Sequence, residues 1–317
     1  MNNRVCMNKI GVLFAAGLLL FSGRIEESER LAREALALAQ RVGAHEEEAL
    51  ALGVLGWDLV QTGRVEEGLA SVREAWLIAR RIGQITGLAL AYNHLAAILD
   101  HAGRVAESLQ VAEEGIELAA RLGVERTFGA QLEGNAAHAL FRLGRWPEAD
   151  ALTRRALERG AAGAIELWLL VVRSRLDVAR GRFAEAAREF AALGAIEDEV
   201  GARPYLGWLA VAQAEAAVWQ ADPRAALDRV MAMLDAGELP RADASVASLA
   251  ALGLRAAADL LETAAGRSDG SIEAARPAAR RIQDLVRRLR SAELLSPPDL
   301  PTAGPIPTPP GATTSRT

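Results

Sequence analysis

Lysine, cysteine and aromatic residues are scarce in this chain, and each scarcity excludes a class of protein. Among 317 residues there is one lysine, Lys9, and one cysteine, Cys6, and aromatic residues make up 4%. A single cysteine cannot form an internal disulfide, a cysteine zinc site or a CxxC redox pair. Because the only lysine follows Asn8, the chain contains no Gly-Lys-Ser/Thr phosphate loop.

The charge and the abundant residues favour a helical protein that does not bind nucleic acid over a large surface. With 36 Lys plus Arg against 41 Asp plus Glu, the net charge is −5, which argues against a dominant nucleic-acid surface. Alanine takes 66 positions and glycine 28. So many small residues favour many packed helices that cross closely. Length alone favours one or two domains, unless the chain contains internal repeats.

The dipeptide Gly-Arg recurs along the first two thirds of the chain. Its glycines are separated by 40, 40, 41 and 37 residues, and a glutamate follows each glycine by four positions. The dipeptides are Gly23-Arg24, Gly63-Arg64, Gly103-Arg104, Gly144-Arg145 and Gly181-Arg182, and the glutamates are Glu27, Glu67, Glu107, Glu148 and Glu185. A second marker, Arg-X-Gly, ends at Gly43, Gly83 and Gly123 in the same phase, and Ala221-Asp222-Pro223 replaces Gly-Arg in a weaker sixth unit. Two phased markers predict a repeat architecture.

Each unit of about 40 residues predicts two helices. In the second unit these span 46–62 and 65–82, and they are separated by Gly63-Arg64 and followed by Gly83. Glycine suits the left-handed position just past a helix end. The acidic residue after each marker suits the positive end of the next helix, and arginines stand in the last turns, where the helix dipole favours cations.

The first helices of the units share two apolar positions. A small residue stands seven positions before each marker, which allows two helices to approach closely, and a leucine stands four positions before most markers. The small residues are Ala16, Gly56, Ala96, Ala137, Ser174 and Ala214, and the leucines are Leu19, Leu59, Leu99 and Leu140. The fifth unit departs from this pattern, with Asp177 at the leucine position and Leu176 beside it.

These observations predict an all-α fold, a right-handed α-α superhelix of about six helix pairs, because an amphipathic helix of this length must be covered by stacked neighbours. We expect an N-terminal extension over 1–9, repeats over 10–240 and capping helices over 241–295, the last two helices falling within 241–265 and 271–295. The proline-rich segment 296–317 is predicted to be disordered.

The repeats resemble tetratricopeptide repeats that are extended from 34 residues to about 40. The pairs Leu55-Gly56 and Leu95-Ala96 and the second-helix alanines Ala35, Ala75 and Ala156 carry the resemblance. The departures are the longer helices and the lack of a regular proline at the repeat end. The resemblance covers about residues 10–290.

Short stretches also resemble the repeat region of LuxR-type, maltose-regulator-like ATP-dependent transcription activators. They include Asn93-His94-Leu95-Ala96, the segments 103–108 and 113–119, and Asn135–Leu140. The ATPase of that family is missing, since there is no phosphate loop, and no LuxR-type helix-turn-helix block follows the repeats. The resemblance therefore implies the sensor or interaction portion of such a regulator.

The apolar run Ile10–Phe21 has two interpretations. It follows basic residues and has signal-peptide proportions, although it lacks a good small-residue cleavage site. It is also in register as the first helix of unit one and ends at that unit's own Gly23-Arg24, and we favour this interpretation. The run is too short to span a bilayer, so we expect a cytoplasmic protein without a membrane segment.

No group of residues predicts catalysis or metal binding. The histidines, His45, His94, His101 and His138, form no HExxH or HxH motif, and Cys6 has no clear base partner. We expect hydrogen-bonded or exposed histidines rather than metal ligands, no cofactor and no enzyme activity. The basic segment contains Arg276, Arg280, Arg281, Arg287, Arg288 and Arg290. It is compatible with nucleic-acid or membrane contact, but we favour a solvated face, because arginine carries nearly all the positive surface charge in a chain with one lysine.

The predicted binding site is the concave groove, which first helices line in tetratricopeptide-like stacking. By register, the residues that face it are Asn93, Asp100, His101, Gln131, His138, Arg142, Trp208 and Glu215. Such side chains suit a peptide backbone or a small effector. We expect a non-catalytic scaffold with a protein, peptide or effector partner, and contact with nucleic acid only indirectly. The alternatives are a DNA-binding regulator that uses the basic C-terminal helix, and an enzyme with a site in the groove.

Overall fold

The computed structural model describes residues 24–194, 203–236, 244–264 and 271–291. Within these ranges it contains thirteen α-helices and no strand. In chain order the helices are α1 (Ile25–Val42), α2 (His45–Gln61), α3 (Val65–Ile82), α4 (Ile85–His101), α5 (Val105–Leu122), α6 (Ala130–Arg142), α7 (Trp146–Glu158), α8 (Ala164–Ala179), α9 (Phe183–Gly194), α10 (Arg203–Trp219), α11 (Pro223–Ala236), α12 (Ala244–Ala264) and α13 (Ser271–Ser291). The predicted helix over 10–21, the N-terminal extension and the tail over 296–317 lie outside the described residues.

The two sequence markers end one helix and begin the next, as predicted. Gly43, Gly83 and Gly123 each adopt φ near +70° just after α1, α3 and α5. Glycine takes this left-handed conformation without the Cβ clash that other residues meet.

The Gly-Arg-X-X-Glu spacing has a second cause that the sequence alone did not indicate. Each arginine of the first four markers precedes a helix and pairs with the glutamate three residues later, at N–O distances of 2.5 or 2.6 Å. In the fifth unit Arg182 pairs instead with Asp177, the residue that replaces the repeated leucine.

The small residue seven positions before each marker allows close packing within a pair. Ala96, Ala137 and Ala214 are fully buried. At Gly56 an added Cβ would lie 2.4 Å from Val72 Cγ2 and 2.9 Å from Gly68 O, so α2 and α3 meet there almost backbone to backbone. The repeated leucines are buried as well, for example Leu99 at 2% exposure.

The helices stack in two layers. The first helices of successive pairs, α2, α4, α6, α8, α10 and α12, pack against each other along the whole stack. The second helices contact mainly the first helices on either side of them. In a curved stack, the helices of the inner layer approach each other more closely than the helices of the outer layer. The first helices therefore form the inner layer. This arrangement confirms the predicted all-α, tetratricopeptide-like solenoid.

Two local features differ from a regular repeat. A π-helical turn over Glu125–Gly129 precedes α6, within the interval of 41 rather than 40 residues, and a π turn accommodates one extra residue in a helix. In the sixth unit Ala221 occupies the position of the marker glycine and keeps its left-handed conformation, with φ +58°. Asp222 Oδ1 accepts a hydrogen bond from Ala225 N at 3.0 Å and caps α11.

Replacing Ala221 with glycine is expected to stabilise the protein. A left-handed conformation costs alanine more than glycine, and after the greater chain entropy of glycine is subtracted, a gain of about 0.5–1 kcal/mol remains. The urea midpoint of unfolding should therefore rise. The matched variant Gly181→Ala, at φ +73°, should lower it. A lower midpoint for Ala221→Gly would show that Ala221 is not held in this conformation.

Candidate functional site

The inner side of the curve brings together side chains from helices that are not neighbours in the stack. The His138 ring on α6 lies 4.8 Å from the Trp208 ring on α10, centroid to centroid, although α8 separates the two helices. Gln131 Nε2 on α6 donates to Tyr205 OH on α10 at 3.1 Å. Contacts that skip a helix are possible where side chains converge, on the inner face of a curved layer.

An ion-pair group joins α4 to α6. Asp100 Oδ1 lies 2.9 Å from Arg142 Nη1, and Asp100 Oδ2 lies 3.4 Å from His138 Nε2. Burial alone would raise the pKa of Asp100, but His138 and Arg142 lower it to about 2. Burial lowers the pKa of His138, against the opposing effect of Asp100. At neutral pH the group therefore contains an ionised carboxylate between a guanidinium and a neutral imidazole.

A hydrogen-bonded chain runs beside this group across α4, α6 and α8. Trp168 Nε1 donates to Asn135 Oδ1 at 3.1 Å, and Asn135 Nδ2 donates to Asn93 Oδ1 at 2.8 Å. The Trp168 ring lies 5.1 Å from the His138 ring and stacks on the Tyr205 ring at 5.1 Å and 20°. The chain thus connects the polar and the aromatic parts of the site.

The far end of the site contains a buried arginine. The Arg175 guanidinium on α8 lies 4.6 Å from the Phe141 ring centroid and 4.7 Å from that of Trp208. Glu215 Oε2 is 3.9 Å from Arg175 Nε, beyond hydrogen-bonding distance. Burial lowers the pKa of Arg175, while Glu215 and Asp100 raise it.

Seven of the eight residues predicted from the repeat register belong to one connected network. They are Asn93, Asp100, Gln131, His138, Arg142, Trp208 and Glu215. His101 follows Asp100 at the end of α4 and is half-buried. His138 is 3% exposed, so it lies beneath the surface of the site rather than on it.

Sequence reasoning missed five members of the network: Asn135, Phe141, Trp168, Arg175 and Tyr205. For two of them a usable signal existed. Trp168 stands 13 residues before its marker glycine, as Trp208 stands 13 residues before Ala221. Asn135 is four residues after Gln131, so it lies on the same helix face.

Two other buried carboxyl groups join helices away from this network. Glu133 on α6 is 1% exposed and pairs with Arg159 and, at 3.0 Å, with Arg155 of α7. Asp58 on α2 accepts a hydrogen bond from Ser28 Oγ of α1 at 2.9 Å. Burial raises the pKa of Asp58 to about 7, although the hydrogen bond from Ser28 opposes the shift. Both groups lie between helices that are consecutive in the stack.

The remaining sequence candidates lie outside this network. In the described ranges, no three His, Cys, Asp or Glu side chains are placed to bind a metal ion, and no helix there is long and apolar enough to cross a membrane. In the basic segment Arg281 pairs with Asp235 of α11 and Arg287 with Asp284. The side chains of Arg288 and Arg290 lie outside the described residues, as does Cys6.

Comparisons with known proteins agree with the repeat class. The tetratricopeptide repeat family model matches residues 88–122, which cover most of α4 and all of α5. A Rap protein complexed with Competence and Sporulation Factor is 13% identical, with a TM-score of 0.66 over 89% of this chain and 75% of that one. The apo form of RapI is 11% identical, with a TM-score of 0.63 over 90% of this chain and 99% of that one. No curated protein matches the sequence. The chain is a tetratricopeptide-like helical repeat protein, and it shares its fold with these two structures.

Replacing Asn135 with alanine should destabilise the protein by about 1–3 kcal/mol, because it removes an acceptor from Trp168 and a donor to Asn93 in a partly buried site. Urea denaturation of the purified chain measures this change. Gln110→Ala removes an exposed hydrogen bond to Glu114 and should change stability by less than about 0.5 kcal/mol. Equal effects of the two variants would contradict the hydrogen-bonded chain.

Asp58 should make the folded state less stable as pH rises. Its pKa is about 7 in the folded protein against an ordinary value of 3.8, so the folded state binds the extra proton between these values. The free energy of unfolding should therefore fall from about pH 4 to pH 7, by at most about 4 kcal/mol. Asp58→Asn should lose this part of the pH dependence. Identical pH profiles for the two proteins would contradict the shift.

Proposed function

We propose that this protein is a non-catalytic scaffold that binds a protein or peptide segment, or a small effector, on the inner surface formed by α4, α6, α8 and α10. The observation that carries the proposal is the network of polar and aromatic side chains that converges there from four helices. Aromatic rings and arginine are the side chains that most often dominate binding energy at interfaces. The tetratricopeptide-like fold supports this proposal, and a structure of the same fold has been solved with Competence and Sporulation Factor.

We further propose that the scaffold is the cytoplasmic sensor or interaction part of a transcriptional regulator. The support for this role is the sequence resemblance of segments such as Asn93–Ala96 and Asn135–Leu140 to LuxR-type activators. Since the sequence contains no phosphate loop, ATP hydrolysis would be supplied from outside it, either by a further segment of a longer regulator or by another chain, and nucleic acid would be reached only indirectly. An adjacent reading frame that encodes a phosphate-loop ATPase or a helix-turn-helix segment would support this role.

The binding surface can be tested with two matched arginines. Arg142 on α6 is exposed at the site and pairs with Asp100 at 2.9 Å. Arg154 on α7 is exposed on the outer layer and pairs with Asp150 at 2.5 Å. Both changes to alanine remove an exposed guanidinium and one ion pair. Arg142→Ala also removes a hydrogen bond of 2.8 Å to Asp100 O, so equal urea midpoints of the two variants must be established before their affinities are compared.

The experiment is photo-crosslinking in cells from position 101, which follows Asp100 at the end of α4, and then calorimetric titration of the purified partner. Arg142→Ala should weaken binding about tenfold, in keeping with the loss of one charged hydrogen bond. Arg154→Ala should leave the affinity within about twofold. An affinity that responds equally to both variants, or only to Arg154→Ala, would contradict the assignment of the inner surface.

A further inference from the structure

Arg175 is a buried cation whose hydrogen-bond donors are not all used. The residue is 7% exposed, and its Nε and Nη1 atoms have no hydrogen-bond partner among the described residues. The rings of Phe141 and Trp208 lie close enough to attract the guanidinium, but they do not accept ordinary hydrogen bonds from its N–H groups. A buried charge with unmet donors is costly, so the site favours the arrival of an acceptor.

The carboxylates on the neighbouring helices do not meet this need. Asp100 is engaged by Arg142 and His138. Glu215 is the only other acidic side chain recorded beside Arg175 in the described part of the chain, and its nearest oxygen is 3.9 Å from Nε. The fixed charges around the guanidinium are thus Arg142, Asp100 and Glu215, with neutral His138 adjacent.

The guanidinium lies beneath the inner surface of the solenoid, with its Nε and Nη1 atoms covered by partly exposed neighbours. The side chains of Glu215 and Arg142 are 30% and 31% exposed, and Phe141 and Trp208 are half-buried. A ligand group that takes the place of the Glu215 carboxylate would come close to Arg175 Nε. If Glu215 turned outward to solvent, it would leave room at that edge of the guanidinium.

We propose that this point is a carboxylate-binding site in which a ligand carboxylate replaces Glu215 and accepts hydrogen bonds from Arg175. The proposal rests on the ligand-binding function proposed above, and it specifies the chemical group that the ligand presents. A planar carboxylate fits the fork of a guanidinium with two parallel hydrogen bonds. The carboxylate can come from a peptide C-terminus, from an Asp or Glu side chain, or from a small free acid.

Glu215 then acts as a built-in competitor for Arg175. Because it lies near the guanidinium without bonding to it, it repels an incoming anion and must move before the anion binds. Two variants should therefore have opposite effects on carboxylate affinity. Arg175→Leu should weaken it about tenfold or more, as expected for lost charged hydrogen bonds. Glu215→Gln should strengthen it several-fold, since like-charge repulsion is removed.

The experiment uses the full chain with tryptophan labelled with ¹⁵N at the indole nitrogen. The indole signals of Trp168 and Trp208 are assigned from Trp→Phe variants. The probes are N-acetylglycine and its amide, and two hexapeptide pools with free and amidated C-termini, each made with and without acidic side chains. All titrations are done at one ionic strength in sodium chloride. Signals of Trp76 and Trp146, both on second helices, serve as internal controls.

The expected result is a shift of the Trp208 signal with carboxylate probes and not with their neutral amides, with opposite changes in affinity for Arg175→Leu and Glu215→Gln. The amidated pools distinguish a C-terminal carboxylate from an acidic side chain, and N-acetylglycine reports small free acids. If the Arg175→Leu variant does not fold, the stronger carboxylate binding expected of the Glu215→Gln variant is the deciding measurement.

The proposal would be overturned if no carboxylate probe shifted the Trp208 signal, or if Glu215→Gln bound carboxylates more weakly than the unchanged protein. Binding of amidated, non-acidic peptides that responds to Arg142→Ala would overturn the carboxylate site while leaving the scaffold function intact.

Discussion

The backbones of α2 and α3 touch at Gly56 and Gly68, where a Cβ added to either residue would lie within 3 Å of the facing helix. The equivalent position holds a fully buried alanine or serine in later units. This close crossing makes each helix pair one packing unit. The apolar surface that is not buried within a pair must be covered by the next pair in the stack. Because first helices approach each other more closely than second helices do, the stack curves and the inner side chains converge.

Convergence gives the inner face a different character from the rest of the surface. The positions that pack the pairs are nearly constant, but the position six residues before each marker holds Trp57, Ala97, His138, Arg175 and Glu215 in successive units. Three of these side chains form the network across α6, α8 and α10. The repeat thus forms a regular scaffold, and the side chain at the position six residues before each marker differs in charge and polarity from unit to unit.

The repeat period, the helix boundaries and the left-handed glycines could be predicted because each follows from a local rule that recurs at about 40 residues. Helices predicted over 46–62 and 65–82 are observed at His45–Gln61 and Val65–Ile82. The site could be predicted only in part, since register indicates which face a residue occupies but not the curvature. Contacts that skip a helix, such as Gln131 with Tyr205, depend on that curvature. Arg175 was missed because its role comes from its burial and from its distance to Glu215.

The central claim is that α6 and α10 meet across α8 on the inner face, and nuclear Overhauser effects between the His138 ring and the Trp208 ring test it most directly. The protein has four histidines and six tryptophans, so selective labelling of both residue types resolves the signals. Ring centroids 4.8 Å apart predict strong cross-peaks between these two side chains in the unliganded chain. Their absence, with the cross-peaks between His138 and Trp168 retained, would contradict the account, because it would mean that neighbouring repeats stack without the curvature that creates the site.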